Sequence, residues 1–192
     1  VDAAQHPVDR RYDPFVQGIR KNMPIDADIN FHPIDYSTLL DKKEETIFSW
    51  VKDMGWVKLR GFACDFVCDV LAYAYTRRPP QDGDFIYDLT TLLRNKVDSV
   101  KEKYPDSIKC IIGHSLGTIV GFGATWEVDG IEHLITMGSP FCYFSVRYKG
   151  FGEMNPTIKT FVNFWKTYDV VSTIISRNPN FKMVTDVQVK SL

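Results

Sequence analysis

The spacing of apolar residues divides the first half of the chain into helical and extended segments. Residues Pro14 to Asn22 fit a short helix, and Ala27 to Ser37 fits a strand or an extended loop. From Thr38 to about Arg77 the apolar positions recur every three or four residues, which predicts two helices separated near Gly55 or Gly61. The segment "RRPPQDGD" ends this pattern, because prolines and glycine do not continue a helix.

The second half of the chain alternates between helical and strand patterns. Asp84 is a candidate cap for a long amphipathic helix that ends at "YPDS". A buried strand over Ile108 to Ile112 and a helix of small residues from Leu116 to about Trp126 follow. Further strands are predicted within "IEHLITMGSPF", "IKTFVNFW" and "FKMVTDVQV". Strands that alternate with helices predict an α/β fold with a mostly parallel sheet and helices on both faces.

Length and charge limit the classes of protein and of partner. A chain of 192 residues with 44% hydrophobic content suits one sizeable core, so residues 1–192 are interpreted as a single domain. With 23 basic and 24 acidic residues, the formal charge of -1 gives no sign of nucleic-acid or anionic membrane binding. No apolar run is long enough for a transmembrane segment, and the N-terminus lacks a signal-peptide pattern. We expect a soluble cytoplasmic protein, while its oligomeric state is left open.

The two ends of the sequence are unusual for a complete protein. The chain begins at Val1 rather than at methionine, and it ends on the strand-like run "DVQVKSL". Either the protein is processed or these residues are an excerpt of a longer chain. The second interpretation is preferred, and it bears on the candidate site below.

The stretch "IKCIIGHSLGTIVGFGA" carries the clearest chemical motif. Gly113, His114, Ser115, Leu116 and Gly117 match GxSxG, the nucleophile elbow, between a predicted buried strand and a predicted helix. The glycines allow a sharp turn that exposes the serine hydroxyl, and the Leu116 amide at the helix N-terminus suits an oxyanion. The alternative is an ordinary glycine-rich turn between a strand and a helix.

"GHSLGT", "ITMGSPF" and "NFWKTYDVVS" together resemble the lipase and serine-esterase branch of the α/β-hydrolase superfamily, over about Phe31 to Val189. The resemblance implies the α/β-hydrolase fold, with Ser115 as nucleophile and Asp169 as catalytic acid after the next-to-last strand. The turn after the preceding strand is then Gly138 to Pro140, where Ser139 is expected to line the pocket. Asp169 has an alternative role as a helix cap. Asp186, expected as a surface or edge residue of the last strand, is the reserve candidate for the acid.

The base of the triad is the missing part of this resemblance. The chain has four histidines, all of them before Asp169: His6, His32, His114 and His133. In the family the base follows the last strand, which here places it beyond Leu192, so these four are expected to be structural. A second oxyanion donor, from a His-Gly-type loop, is also missing before Asp28. An excerpt that lacks the first strands and the final loop and helix explains both absences. The competing explanation is a degenerate hydrolase that binds without turnover.

The function expected from these observations is hydrolysis of a carboxylic ester through an acyl-enzyme on Ser115. The partner is a small-molecule ester or acyl substrate, and no metal or organic cofactor is implied. A peptidase, thioesterase or acyltransferase would use the same serine. A non-catalytic binding or interaction protein built on the same fold is the other alternative.

Overall fold

Strands and helices alternate along the part of the chain that the computed structural model describes, which comprises residues 9–24, 28–34, 85–142, 145, 153–169 and 171–190. The elements in chain order are α1 (Asp9–Lys21), α2 (Phe85–Lys103), β1 (Cys110–His114), α3 (Leu116–Glu127), β2 (His133–Met137), β3 (Thr160–Trp165), two short 3-10 helices (Ile175–Arg177 and Pro179–Phe181) and β4 (Thr185–Gln188). This order makes the described fold an α/β arrangement.

The four strands form one sheet in the order β1-β2-β3-β4, and every neighbouring pair is parallel. His114 is opposite Met137, which in turn is opposite Phe164, so β1 and β2 end at the same level and β3 ends one residue later. The predicted mostly parallel sheet is therefore confirmed for the described strands. Because parallel strands share a direction, the loops after β1, β2 and β3 meet at one edge of the sheet.

One face of the sheet carries the hydrophobic core. Helix α3 packs against β1 and β2, and α2 packs against α3. Four fully buried phenylalanines join these layers: Phe122, Phe141, Phe161 and Phe181. The rings of Phe122 and Phe141 meet edge to face with their centroids 4.8 Å apart, and the rings of Phe141 and Phe181 do the same. Each buried ring stabilises the fold by about 1.5–3 kcal/mol.

The opposite face of the sheet is also apolar but less covered. Ile112 and Val187 are each 36% exposed, while Met137 and Phe164 are half-buried. Ile19 of α1 lines a cavity together with side chains of this face. Since parallel strands usually have both faces covered, this exposed apolar surface distinguishes the second face from the core face.

Element boundaries differ from the predictions in two places. Helix α1 begins at Asp9, five residues before the predicted start at Pro14, so Pro14 lies inside the helix. Strand β1 runs over Cys110–His114, two residues later than predicted, and Ile108 is 71% exposed. The part of the predicted strand or loop at 28–34 has no regular structure. The two helices predicted between Thr38 and Arg77, and the Asp84 cap, lie outside the described residues.

Candidate functional site

Ser115 occupies the turn between β1 and α3 in an unusual backbone conformation. Its φ is 52° and its ψ is -125°, and among the described residues it is the only non-glycine residue with a positive φ. Such a conformation costs on the order of 1–3 kcal/mol and persists only where the surroundings enforce it. The Ser115 amide donates to the carbonyl oxygen of Met137 at 3.0 Å, which fixes the turn against the end of β2.

Gly113 is required by close packing within this turn. A Cβ atom at Gly113 would lie 2.5 Å from the carbonyl oxygen of Gly117 and 2.8 Å from the Cα of Thr118. Both atoms belong to the backbone of α3, which cannot rotate away as a side chain can. The glycine of the motif that precedes the serine is therefore needed for the first turn of α3 to approach β1.

Leu116 is the first residue of α3, so the helix itself offers its amide no acceptor one turn earlier. The N-terminus of the helix also carries the positive end of the helix dipole. The Ser115 side chain makes no capping hydrogen bond to the helix. The amide predicted to bind an oxyanion thus lies next to a serine whose hydroxyl is not used as a helix cap.

Gly138 follows β2 directly and separates His114 from Asp169. Its φ is 58°, and a Cβ atom there would lie 3.3 Å from Asp169 Oδ2 and 3.6 Å from His114 Nε2. The Gly138 amide donates to the carbonyl oxygen of Phe164 on β3 at 3.2 Å. The turn predicted at this position therefore exists, and it keeps a narrow gap between an imidazole and a carboxylate.

Asp169 uses its two carboxylate oxygens differently. Oδ1 accepts the amide protons of Val171 at 3.0 Å and of Ser172 at 3.3 Å, which is the behaviour of a turn cap. Oδ2 faces Gly138 and accepts no hydrogen bond from the described residues. Asp169 therefore caps a turn through one oxygen, whereas the next described helical turn begins only at Ile175, so the helix-cap interpretation is wrong. The other oxygen is oriented toward the site.

A cavity of about 470 Å³ lies at this edge of the sheet. Its polar lining comes from His114, Lys166, Asp169 and Ser172. Its other lining residues are Ile19, Ile112, Ile135, Met137, Gly138, Phe164, Trp165 and Val189. Ser115 does not line the cavity. The structure thus places His114, Gly138 and Asp169 around one cavity. Ser115 is connected to this cavity by the hydrogen bond from its amide to the carbonyl oxygen of Met137, which lines the cavity.

The sequence expectation is wrong for Ser139 and holds only in part for Asp186. Ser139 is fully buried and pairs with the Thr118 hydroxyl at 2.7 Å instead of lining the cavity. Asp186 lies on β4, the edge strand of the described sheet, but it is half-buried. Its Oδ1 accepts from Asn163 Nδ2 at 2.6 Å and from the Ile175 amide at 3.1 Å, and its Oδ2 accepts from the Ser176 amide at 2.8 Å. Both oxygens therefore already accept hydrogen bonds from described residues.

The remaining histidines lie away from Ser115. His133 begins β2, so it is at the amino end of the strand and at the opposite edge of the sheet. His32 packs beside Tyr104 just beyond α2, with ring centroids 5.9 Å apart. His6 lies outside the described residues. Among the described histidines, only His114 borders the cavity that contains Asp169.

Thr118 and Asn163 were not singled out from the sequence, although both are fully buried and hydrogen-bonded near the site. Thr118 Oγ1 donates to the carbonyl oxygen of Ser115 at 2.6 Å. Asn163 accepts from Thr136 Oγ1 at 2.9 Å and donates to the Thr173 carbonyl oxygen at 2.8 Å. A single asparagine inside the apolar run "TFVNFW" was the available signal, since an uncompensated amide is costly in a buried strand.

No protein-family model, no curated protein and no solved structure matches the chain. Within residues that the structure describes, no three or more histidine, cysteine or acidic side chains are grouped as metal ligands would be. The described helices also include none with the length and apolar character needed to cross a membrane.

Proposed function

We propose that the chain is a serine hydrolase of the α/β-hydrolase fold and of the lipase and serine-esterase type, which cleaves a carboxylic ester through an acyl-enzyme on Ser115. The observation that carries the proposal is the positive φ of Ser115 between β1 and α3. A β-strand that turns sharply into a helix at GxSxG is the arrangement that this chemistry needs. An ordinary glycine-rich turn gives no reason to place a serine in the strained position.

In the proposed reaction, Ser115 Oγ attacks the ester carbonyl carbon while a base takes its proton. The carbonyl oxygen becomes an oxyanion next to the Leu116 amide at the N-terminus of α3. Collapse of this intermediate breaks the bond to the alcohol, which leaves with the proton from the base. Water then repeats the sequence on the acyl-enzyme and releases the carboxylic acid.

The base is proposed to be a histidine on the loop that follows the last strand, as the resemblance implies. Asp169 Oδ2 supports this role, because it faces the gap at Gly138 and accepts no hydrogen bond from the described residues. A carboxylate oxygen in that state suits an imidazole N–H, whose tautomer and orientation it would fix. His114 Nε2 borders the same gap and would lie beside that imidazole.

The test is labelling with a fluorophosphonate probe, which reacts only with an activated serine. The 192-residue chain and the same chain with its natural flanking sequence are each compared with their Ser115→Ala variants. Ser107→Ala is the matched control, because Ser107 is exposed and its hydroxyl bonds only to the nearby Tyr104 carbonyl oxygen. We expect labelling of the longer form that is lost in Ser115→Ala and kept in Ser107→Ala.

Absence of labelling in both lengths, with folding shown by circular dichroism, would contradict the proposal and leave a hydrolase-like binding protein. Once labelling is established, a panel of esters, thioesters and peptides separates the esterase from the peptidase, thioesterase and acyltransferase alternatives. An ester turned over faster than the matching amide and thioester supports the assignment made here.

A further inference from the structure

We propose that Thr118 and Ser139 are positioning residues, which hold the backbone of Ser115 in its strained conformation and tie it to the loop that carries Asp169. Their consequence for catalysis rests on the proposed function. Neither side chain lines the cavity, since both are fully buried in the core. They would act through the geometry of Ser115 and not through contact with a substrate.

Thr118 binds the carbonyl oxygen of Ser115 twice. Its amide donates to that oxygen at 3.0 Å, and its Oγ1 donates to the same oxygen at 2.6 Å. The ψ angle of Ser115 determines where this oxygen points. Two donors on one acceptor therefore resist rotation about ψ and favour the observed conformation over a relaxed one.

Ser139 extends this contact to the turn after β2. The two hydroxyl oxygens of Thr118 and Ser139 are 2.7 Å apart. Because Thr118 has already given its single hydroxyl proton to Ser115, Ser139 must be the donor in this pair. Ser139 Oγ in turn accepts the Phe141 amide at 3.3 Å. Donation thus runs in one direction, from Phe141 through Ser139 and Thr118 to Ser115.

The backbone of Ser139 continues the connection to the loop after β3. Its carbonyl oxygen accepts from the amide of Thr173 at 2.9 Å and from Thr173 Oγ1 at 2.8 Å. Thr173 directly follows Ser172, whose amide donates to Asp169 Oδ1. A continuous set of hydrogen bonds therefore joins Ser115 to the loop that positions Asp169.

Helical threonines often bond to a carbonyl oxygen in the preceding turn without any functional meaning. The same helix provides this case: buried Thr125 donates from Oγ1 to the Phe122 carbonyl oxygen at 2.7 Å. Thr125 lies two turns further along α3, away from Ser115. It is therefore a matched control for the loss of a buried threonine hydroxyl from this helix.

The experiment compares Thr118→Val, Thr118→Ser, Ser139→Ala and Thr125→Val in the chain with its natural flanking sequence. The first readout is the rate constant for fluorophosphonate labelling of Ser115. We expect Thr118→Val to slow labelling by about 10-fold or more, because small displacements of a reacting group are costly. Thr118→Ser restores the rate, Ser139→Ala gives an intermediate loss, and Thr125→Val labels at the original rate.

The second readout is amide hydrogen exchange, which does not depend on catalysis. We expect exchange at the Ser115 and Thr118 amides to rise about 5-fold in Thr118→Val, to recover in Thr118→Ser and to stay unchanged in Thr125→Val. Thermal unfolding of all variants separates these local effects from global destabilisation.

The outcomes distinguish this inference from the proposed function. Absence of labelling in the unsubstituted protein contradicts the serine hydrolase, and the exchange measurement then still decides whether Thr118 holds the backbone of Ser115. Equal effects of Thr118→Val and Thr125→Val on labelling and on local exchange would overturn the positioning role, as would failure of Thr118→Ser to restore them.

Discussion

Gly113 and Gly18 show how differently two glycines are used in this chain. An added methyl group at Gly113 meets backbone atoms of α3 at 2.5 Å and 2.8 Å, whereas one at Gly18 meets nothing within 4 Å. Gly18 lies inside α1, where glycine is a weaker helix former than alanine. The same substitution should therefore have opposite effects at the two positions.

We expect Gly113→Ala to lower the free energy of unfolding by about 1–3 kcal/mol, because the added atom forces α3 away from β1. Gly18→Ala should raise it by about 0.5–1 kcal/mol. Urea denaturation of both variants measures these changes. A Gly113→Ala variant as stable as the parent would show that the turn can accommodate a Cβ atom at position 113.

At the residue scale, the motif predicted the position of Ser115 but not what holds it there. Glycine spacing and flanking periodicity are local patterns, so they indicated a turn between a strand and a helix. Thr118 and Ser139 are 21 positions apart, and their contact arises from the crossover between β1 and β2. No local pattern encodes such a contact, which is why Ser139 was expected at the cavity.

At the element scale, three polar side chains cross the core face of the sheet in one row. Thr136 of β2 is directly opposite Asn163 of β3, and Asn163 is directly opposite Asp186 of β4. Thr136 and Asp186 both bond to the Asn163 side chain. Since a slip of one residue would turn every side chain in a strand to the other face, this row helps to specify the register.

We expect Asn163→Leu to lower the free energy of unfolding by about 1–3 kcal/mol for each buried partner left unsatisfied. Gln188→Ala is the control, since Gln188 Nε2 donates to Thr167 Oγ1 at 2.7 Å at an exposed position. Its effect should stay within about 0.5 kcal/mol. Chemical denaturation compares the free energy of unfolding of the two variants. An Asn163→Leu loss as small as that of Gln188→Ala would show that the polar row contributes little to stability.

The kinds of element were predictable from periodicity, while the role of Asp186 was not. A single aspartate in "TDVQV" is typical of a residue that points to solvent at a sheet edge. Strand β4 does lie at the end of the described sheet, yet Asp186 turns inward to bond the amides of Ile175 and Ser176. The buried N–H groups of Ile175 and Ser176 attract the Asp186 carboxylate inward, although polarity alone predicts that it points to solvent.

At the scale of the whole molecule, His32 joins the segment at 28–34 to the region of α2. Its Nε2 is buried and has no hydrogen-bond partner among the residues that the structure describes. Burial lowers the pKa of His32 below its usual value, and the nearby charges of Lys96 and Lys103 lower this pKa further. The folded protein therefore favours the neutral imidazole.

This shift predicts that stability falls in mildly acidic solution. Above about pH 6.5, His32 is neutral in both the folded and the unfolded states, so the full stability is present. As the pH falls below that value, the unfolded chain takes up a proton that the folded protein resists, and stability decreases until the lowered folded pKa is passed. Urea denaturation at about pH 7.5 and about pH 5 should show a smaller acid loss in His32→Phe than in the parent. Equal losses would argue against this role of His32.

The all-parallel sheet also has a consequence for how the chain acquires its structure. Paired residues in neighbouring strands are separated by 23 to 27 positions, as for Cys110 and His133 or His133 and Thr160. No described pair of strands can therefore start as a tight hairpin, and each must wait for its crossover segment to close a long loop. The search for these distant partners sets the pace of folding, and the apolar strands stay open to other chains while it lasts.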